Sequence, residues 1–254
     1  MSATVIESII KDFDPIGLED MDKVQLMNRT DTKFTFSLPK LIELLPLLSK
    51  DYRILSVDGN RISAYESLYY DDDGMSSYID HHRKKLNRFK IRFRKYVHSD
   101  IAFLEVKHKN KGRTDKKRVQ VEDIHYEMDT DQFDFVKSTG VASRSLEPTL
   151  LNNFNRITLV GKAIDERLTI DFDLSFSWEA VTEKIDDIVI AELKQNNFSR
   201  NSPFYVLMKR NLIRPLKISK YCIGIVKLYQ KDNIKYNRFK KKILQLIKLQ
   251  NDIK

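Results

Sequence analysis

Hydrophobic positions recur along this chain with two different periods, and the change of period marks its elements. Residues 5–26 place Ile6, Ile9, Ile10, Phe13 and Leu26 at helical intervals, which predicts one or two short amphipathic helices. Ser37-Leu38-Pro39-Lys40 opens another helix, with Ser in the capping position and Pro in the first turn. Leu41, Leu44, Leu45 and Leu48 then form its repeating apolar face. The middle of the chain alternates with period two instead, the signature of strands with one polar and one apolar side.

In Lys90–Tyr96, the cations Lys90, Arg92 and Arg94 share a side opposite Ile91 and Phe93. In Phe103–Lys109, Glu105, Lys107 and Lys109 oppose Leu104 and Val106. Residues 167–174 set Arg167, Thr169, Asp171 and Asp173 against Leu168, Ile170, Phe172 and Leu174. Glu192 and Lys194 oppose Ala191 and Leu193, and residues 29, 31 and 33 are all charged. The same reading predicts strands over 51–58, 61–71, 114–121 and 153–160, and helices over 75–84, 131–138, 179–184, 203–212 and 219–229. Many strands with few helical crossovers predict an α+β fold on a mainly antiparallel sheet. The polar sides carry Arg and Lys in strand after strand. Either the sheet has one solvated charged face, or it curls and turns that face inward. Periodicity alone leaves both open.

Composition narrows the classes. The 14 Phe and 11 Tyr supply bulky core material, so a disordered chain is excluded. The single cysteine, Cys222, excludes a disulfide framework and a cysteine-based zinc site within one chain. Its surroundings predict a packing role. His81, His82, His98, His108 and His125 show no ligand spacing and read as surface or satisfied core residues. The apolar runs at 41–48 and 221–226 are too short to span a bilayer, and no secretion signal is visible, so the expected location is cytoplasmic.

The net charge of +9 changes meaning once it is located. Residues 217–254 hold eleven basic and two acidic groups, so the whole excess lies there and the rest of the chain is balanced. Any anion selectivity in the body must come from sorting charges in space. Near the C-terminus, Ile243, Leu244, Leu246, Ile247 and Leu249 give a basic helix an apolar face. That face suits docking on the protein's own body, on a membrane surface, or on a membrane-protein partner.

Three local patterns carry chemistry. Lys90-x-Arg92-x-Arg94 spaces cations about 6.5–7 Å apart on one strand face, suited to successive phosphates. Glu-x-Lys occurs at Glu105/Lys107 and Glu192/Lys194, where a carboxylate can hold a hard divalent cation beside a phosphate-binding lysine. Lys217-Ile-Ser219-Lys220 sits at a predicted helix start, a natural phosphate site.

Taken in order, Asn28-Arg29-Thr-Asp-Thr-Lys33-Phe, Ser67-Leu-Tyr-Tyr-Asp, Phe89–Tyr96, Phe103–Lys109, Lys116-Lys-Arg118, Phe154-Asn-Arg156, Arg167-Leu-Thr-Ile-Asp, Ile190–Lys194 and Lys217–Tyr221 resemble the polyphosphate polymerase domain of VTC type, a branch of the triphosphate tunnel metalloenzymes. The resemblance implies an antiparallel β-barrel with flanking helices, its charged face turned inward as a tunnel. It implies one domain over 1–254, with the tunnel core at 27–225 and a basic C-terminal helix at 226–254. Lys33, Arg92, Arg94 and Lys107 would contact the triphosphate of ATP. Arg29, Lys90, Glu105, Lys116, Arg118, Arg156, Arg167 and Lys194 would line the walls around a growing inorganic polyphosphate. Glu192 would ligate Mn2+ or Mg2+, and Lys217, Ser219 and Lys220 would close the site. Phe154 departs from the family's usual Tyr, which removes one hydroxyl contact. The eukaryotic relatives' inositol-phosphate-sensing domain and membrane helices have no counterpart in the sequence, so their regulation does not transfer.

Two rivals share most of these residues: a tunnel-fold triphosphatase acting on NTPs, with water as acceptor, and a non-catalytic polyphosphate-binding module. Specific nucleic-acid binding is disfavoured, because the cationic faces interleave no aromatics for stacking.

Overall fold

A computed structural model describes residues 2–23, 30–142, 145–229 and 234–251. Its centre is one large sheet whose main path runs β2–β11–β9–β8–β4–β5–β6–β7, every ladder antiparallel. The strands are β2 (Thr30–Ser37), β4 (Ser63–Asp71), β5 (Arg88–Tyr96), β6 (Ile101–Asn110), β7 (Arg113–Val121), β8 (Glu147–Gly161), β9 (Glu166–Trp178) and β11 (Ile188–Gln195). Two short strands, β1 (Pro15–Ile16) and β3 (Tyr52–Leu55), extend it beside β8, and β10 (Val181–Ile185) forms a hairpin with β9.

The fold class is α+β, a large antiparallel sheet with flanking helices as the alternation predicts, and among the described residues its ladders do not close into a barrel. Among the described residues no ladder joins β2 to β7. β7 is exposed along nearly its whole length and offers little apolar surface to a further strand. Alternation assigns faces to strands; it says nothing about whether the first and last strands meet. The sheet nonetheless curls, since Lys33 of β2 and Glu192 of β11 act on Lys107 of β6, strands far apart along the path, and the polar face becomes a trough.

The convex face is covered by α1 (Ser2–Ile9), α3 (Leu38–Leu44) and α6 (Pro203–Arg210), which pack with Phe34, Phe36, Ile157, Leu159, Leu168, Ile170 and Phe172. Ser37 caps α3 by accepting the Lys40 N–H, and Pro39 stands in the first turn. Further along the convex face, Leu68, Tyr70, Ile91, Phe93, Leu104 and Val106 pack with Val136 of α5 (Thr130–Ser138).

The concave face is capped at one side by α7 (Lys220–Tyr229), supported by α4 (Ser76–His82) and α8 (Asn237–Asn251). Asp71 fixes this arrangement. Its carboxylate accepts the N–H groups of Ser77 and Tyr78 at the start of α4 and the hydroxyl of Tyr221 on α7. Gly224 allows α7 to lie close to the sheet, since a Cβ there would stand 2.6 Å from the buried Phe176 ring. The basic C-terminal helix docks on the protein's own body through Phe239 and Leu246, with Ile243 and Leu249 against the same cluster.

Three expectations need correction. Residues 179–184, predicted as a helix, form a tight turn at Glu179 and then β10. The hairpin pairing outweighs a local pattern too short to fix a period. Leu174 does not share the side of Leu168, Ile170 and Phe172, because the ladder between β8 and β9 slips at Asn153/Asn155. Asp173 takes φ 53° at that slip, and Leu174 and Phe176 turn to the concave side beneath α7. Leu26, placed on the first helix pattern, lies outside the described residues.

Candidate functional site

Pairing register builds the trough's polar face across eight strands. Lys33 faces Glu192, which faces Thr169, and Asp171 faces Arg156. Tyr65 faces Phe154 and Tyr96, and Ser67 faces Arg94, so aromatic rings do interleave the cations, contrary to the expectation from single strands, because they arrive from neighbouring strands. Tyr69 faces Arg92, which faces Glu105, which faces Arg118. Lys90, Lys107 and Lys116 form a row across three neighbouring strands. Like charges directly opposite on paired strands repel. Such a row persists because packing on the convex side holds the strands, and because Glu192 acts on Lys107 and Glu105 pairs with Lys116.

Three carboxylates are spaced along this face, and each bridges two cations. Glu105, 2% exposed, accepts Arg92 Nε at 2.8 Å and a terminal guanidinium nitrogen at 2.6 Å, and also pairs with Lys116. Asp171, 3% exposed, is gripped by Arg156 at 2.5 and 2.8 Å and pairs with Lys220 of α7. Glu192 pairs with Lys33 and, at 2.9 Å, with Lys194, whose ammonium also donates to Thr169 at 3.0 Å. Burial pushes these acids up, but the flanking cations and their hydrogen bonds outweigh it and hold all three below the usual carboxylate range.

The remaining cations are held by neutral groups. Lys90 donates to Ser219 Oγ at 2.7 Å, and Ser219 in turn caps α7 by accepting the Cys222 N–H at 3.4 Å. Arg92 also donates to the Tyr69 hydroxyl at 2.9 Å. Arg94 donates to Ser67 Oγ at 3.2 Å and lies 5.3 Å from the Tyr65 ring centre and 5.8 Å from that of Phe154. No carboxylate among the described residues forms an ion pair with Arg94 or Lys107. Lys107 is pulled down to about 8 by desolvation and by Lys33, Lys90 and Arg92, against the attraction of Glu192.

The structure therefore gathers Lys33, Lys90, Arg92, Arg94, Glu105, Lys107, Lys116, Arg118, Arg156, Glu192, Lys194, Ser219 and Lys220 on one concave surface. Arg167 shares that side by its register with Lys194. Lys217 is exposed at one end, where the neighbouring Leu216 N–H donates to the Lys33 carbonyl at 2.8 Å. Arg29 lies outside the described residues. Glu105 is an organiser of Arg92 and Lys116 more than a free ligand. Asp171 is an ion-pair partner, and Asp173 turns away to accept from Asn155 at 3.0 Å.

Alternation already puts Thr169 on the polar face, but the support that Tyr69 gives Arg92, Ser67 gives Arg94 and Thr169 gives Lys194 escapes single-strand reading. Its signal is cross-strand register, which no one segment contains. Cys222 packs in the core as expected, its thiol pushed up by burial. His81 departs from expectation: its Nδ1 is buried without a hydrogen-bond partner. Burial and the charges of Lys90, Arg88 and Lys242 drive its pKa down to about 2, so the ring stays neutral.

The donor set bears on a metal. Among the described residues no group of three or more His, Cys, Asp or Glu side chains gathers to hold an ion. Glu192, on the strand next to β2 and paired with Lys33 and Lys194, carries hard carboxylate oxygens that would fit a divalent cation only with phosphate oxygens and water as its other ligands.

A model of the VTC domain family matches residues 28–229. No curated protein sequence matches the chain. Solved structures similar to it include a candidate adenylate cyclase from Bacillus halodurans, at 12% identity and TM-score 0.49 over 76% of this chain and 96% of that one. A candidate adenylyl cyclase from Hippeastrum with a dominant triphosphatase activity matches at 13% identity and TM-score 0.47, over 78% and 95% of the two chains. The PH1012 protein of Pyrococcus horikoshii OT3 matches at 12% identity and TM-score 0.42, over 76% and 99%. No described helix is long and apolar enough to cross a membrane. With the family match running from before β2 to the end of α7, and so taking in the whole cationic face, this chain belongs to the VTC domain family.

Proposed function

We propose that the protein is a polyphosphate polymerase that transfers the γ-phosphoryl group of ATP to the end of a growing inorganic polyphosphate chain. The observation that carries this reading is Arg94. It is only 8% exposed and has no carboxylate partner among the described residues, in a face where neighbouring cations are neutralised in pairs. A buried charge left unpaired is costly, and a bound polyanion removes the cost.

Phosphoryl transfer needs positioning and charge neutralisation more than covalent help. Arg92, held by Glu105 and Tyr69, presents a fixed guanidinium, while Arg94 and Lys107, which feel Glu105 and Glu192 only at longer range, form no direct ion pair among the described residues. Lys90, Ser219 and Lys220 bring the N-terminus of α7 to the same phosphates. A terminal phosphate of the acceptor is already ionised, so no general base is required. Glu192 would hold Mn2+ or Mg2+, which would supply positive charge to offset that of the phosphates. Lys33 and Lys194, which now neutralise Glu192, would then turn onto phosphate. Incubating the protein with ATP and Mn2+ and sizing the product on gels tests the proposal. Long polyphosphate is expected, and it should vanish in Glu192→Ala. Orthophosphate alone would identify a triphosphatase, and binding without ATP consumption a polyphosphate-binding module.

A further inference from the structure

The two ends of the trough differ in chemistry. At one end the register sets Arg88 opposite Lys109 and Lys90 opposite Lys107. Lys217 joins them, since desolvation and then Arg88 and Lys217 depress Lys109. The ring near Lys90, that of Tyr221, is buried and hydrogen-bonded to Asp71, so it offers no face to a ligand. Phe89 stacks with His108 on the convex side. This end therefore presents mainly cations, with the acid Asp31 near enough to act on Lys109 and neither of the rings named here open to a ligand.

At the other end Phe103 takes the position opposite Arg94. The guanidinium carbon of Arg118 stands 4.4 Å from the Phe103 ring centre, and Tyr96 meets Phe103 edge-on at 6.0 Å. Arg118 is exposed, so one side of its guanidinium is backed by the ring and the other is open to solvent. A linear polyphosphate carries charge along its whole length and has nothing to stack. A nucleoside triphosphate adds one flat base. Rows of like charge suit the first, and an aromatic-backed guanidinium suits the second.

We propose that the trough has a direction: the nucleobase of the phosphoryl donor stacks on the Arg118–Phe103 pair, and the polyphosphate chain leaves past Arg88, Lys109 and Lys217. This rests on the nucleotide-dependent reading above. Calorimetric titrations without divalent metal, which prevent turnover, compare ATP, inorganic tripolyphosphate and long-chain polyphosphate. Phe103→Leu, which keeps apolar volume, should weaken ATP about tenfold, the effect of losing one stack, and leave tripolyphosphate within about twofold. Arg118→Gln, at an exposed position, should shift the same ratio without touching the core. Lys109→Ser should weaken long-chain polyphosphate more than ATP. Equal loss of ATP and tripolyphosphate in both rim variants would overturn the base subsite, as would a wild-type protein that binds the two alike. Equal loss of ATP and long-chain polyphosphate in Lys109→Ser would overturn the direction. A wild-type protein that binds no polyanion would overturn both this proposal and the polymerase reading.

Discussion

Arg156 and Asp171 lie directly opposite each other on β8 and β9, and both guanidinium–carboxylate contacts are made, at 2.5 and 2.8 Å. Lys220 meets the same carboxylate from α7, so this acid ties the sheet to its capping helix. Asp171→Asn would leave two buried cations uncompensated. A loss of about 3–5 kcal/mol is expected, the usual consequence of removing one partner from a buried pair. Tripolyphosphate should restore part of the melting temperature, because it supplies the missing negative charge. Thermal melts with and without the anion check both halves.

Arg94 behaves differently, since among the described residues no carboxylate forms a direct ion pair with it and Glu105 acts on it only at longer range. Arg94→Met keeps the packing against Tyr65 and Phe154 and removes the charge. Stability should stay within about 1 kcal/mol of wild type or rise, while kcat/KM falls by more than about 100-fold. Denaturant titration and steady-state kinetics on the same preparation separate the two effects. A variant that turned over normally would remove Arg94 from the site.

Lys107 sets a pH dependence. Its folded pKa, about 8, lies below the ordinary lysine value near 10.5, so the unfolded chain binds more protons between these limits. Stability therefore rises with pH across that window. Ligand binding runs the other way, because a polyanion favours the ammonium form. Binding at pH 8 should take up protons, and affinity should fall above it. Lys116 and Lys220, also depressed to about 8, add to the same trend. Titration calorimetry in two buffers of different ionisation enthalpy measures the uptake, and Lys107→Arg should reduce it.

Glu192→Gln should act in opposite directions on two ligands. Without metal, tripolyphosphate should bind more tightly, because Lys33 and Lys194 lose their competing carboxylate. With Mn2+, the metal concentration giving half-maximal activity should rise at least about tenfold. Parallel titrations of anion and metal distinguish this from a general loss of structure, which would weaken both.

Gly224→Ala tests the seat of α7. An added methyl group would collide with the Phe176 ring, which is fully buried and has no room to yield. A cost of about 1–3 kcal/mol is expected, despite the higher helix propensity of Ala. Polyanion affinity should fall as well, since Ser219 and Lys220 shift with the helix.

Much of this architecture is legible in the chain. Lys90-x-Arg-x-Arg announces a cationic strand face, and Ser37-Leu-Pro-Lys announces α3, because both depend on residues close in sequence. What is not legible depends on register. That Glu105 serves Arg92 and Lys116, and that Tyr69 supports Arg92, follow from pairings between separate strands. Phe103 reads as one more alternating residue until Arg118 is placed beside it. Whether β2 and β7 pair likewise depends on two distant segments, and β10 on a turn at Glu179 that no periodicity marks.

The slip at Asp173 lets one strand serve two media. Before it, β9 alternates between cationic trough and convex core; after it, Leu174 and Phe176 occupy the side that Thr169 and Asp171 held. A single inserted residue thus works as a phase switch. Point substitutions at Asp173 would leave that count intact. Deleting the residue would send a greasy seat into solvent and polar side chains under a helix, so tolerance to length change should reach a sharp minimum at this one position.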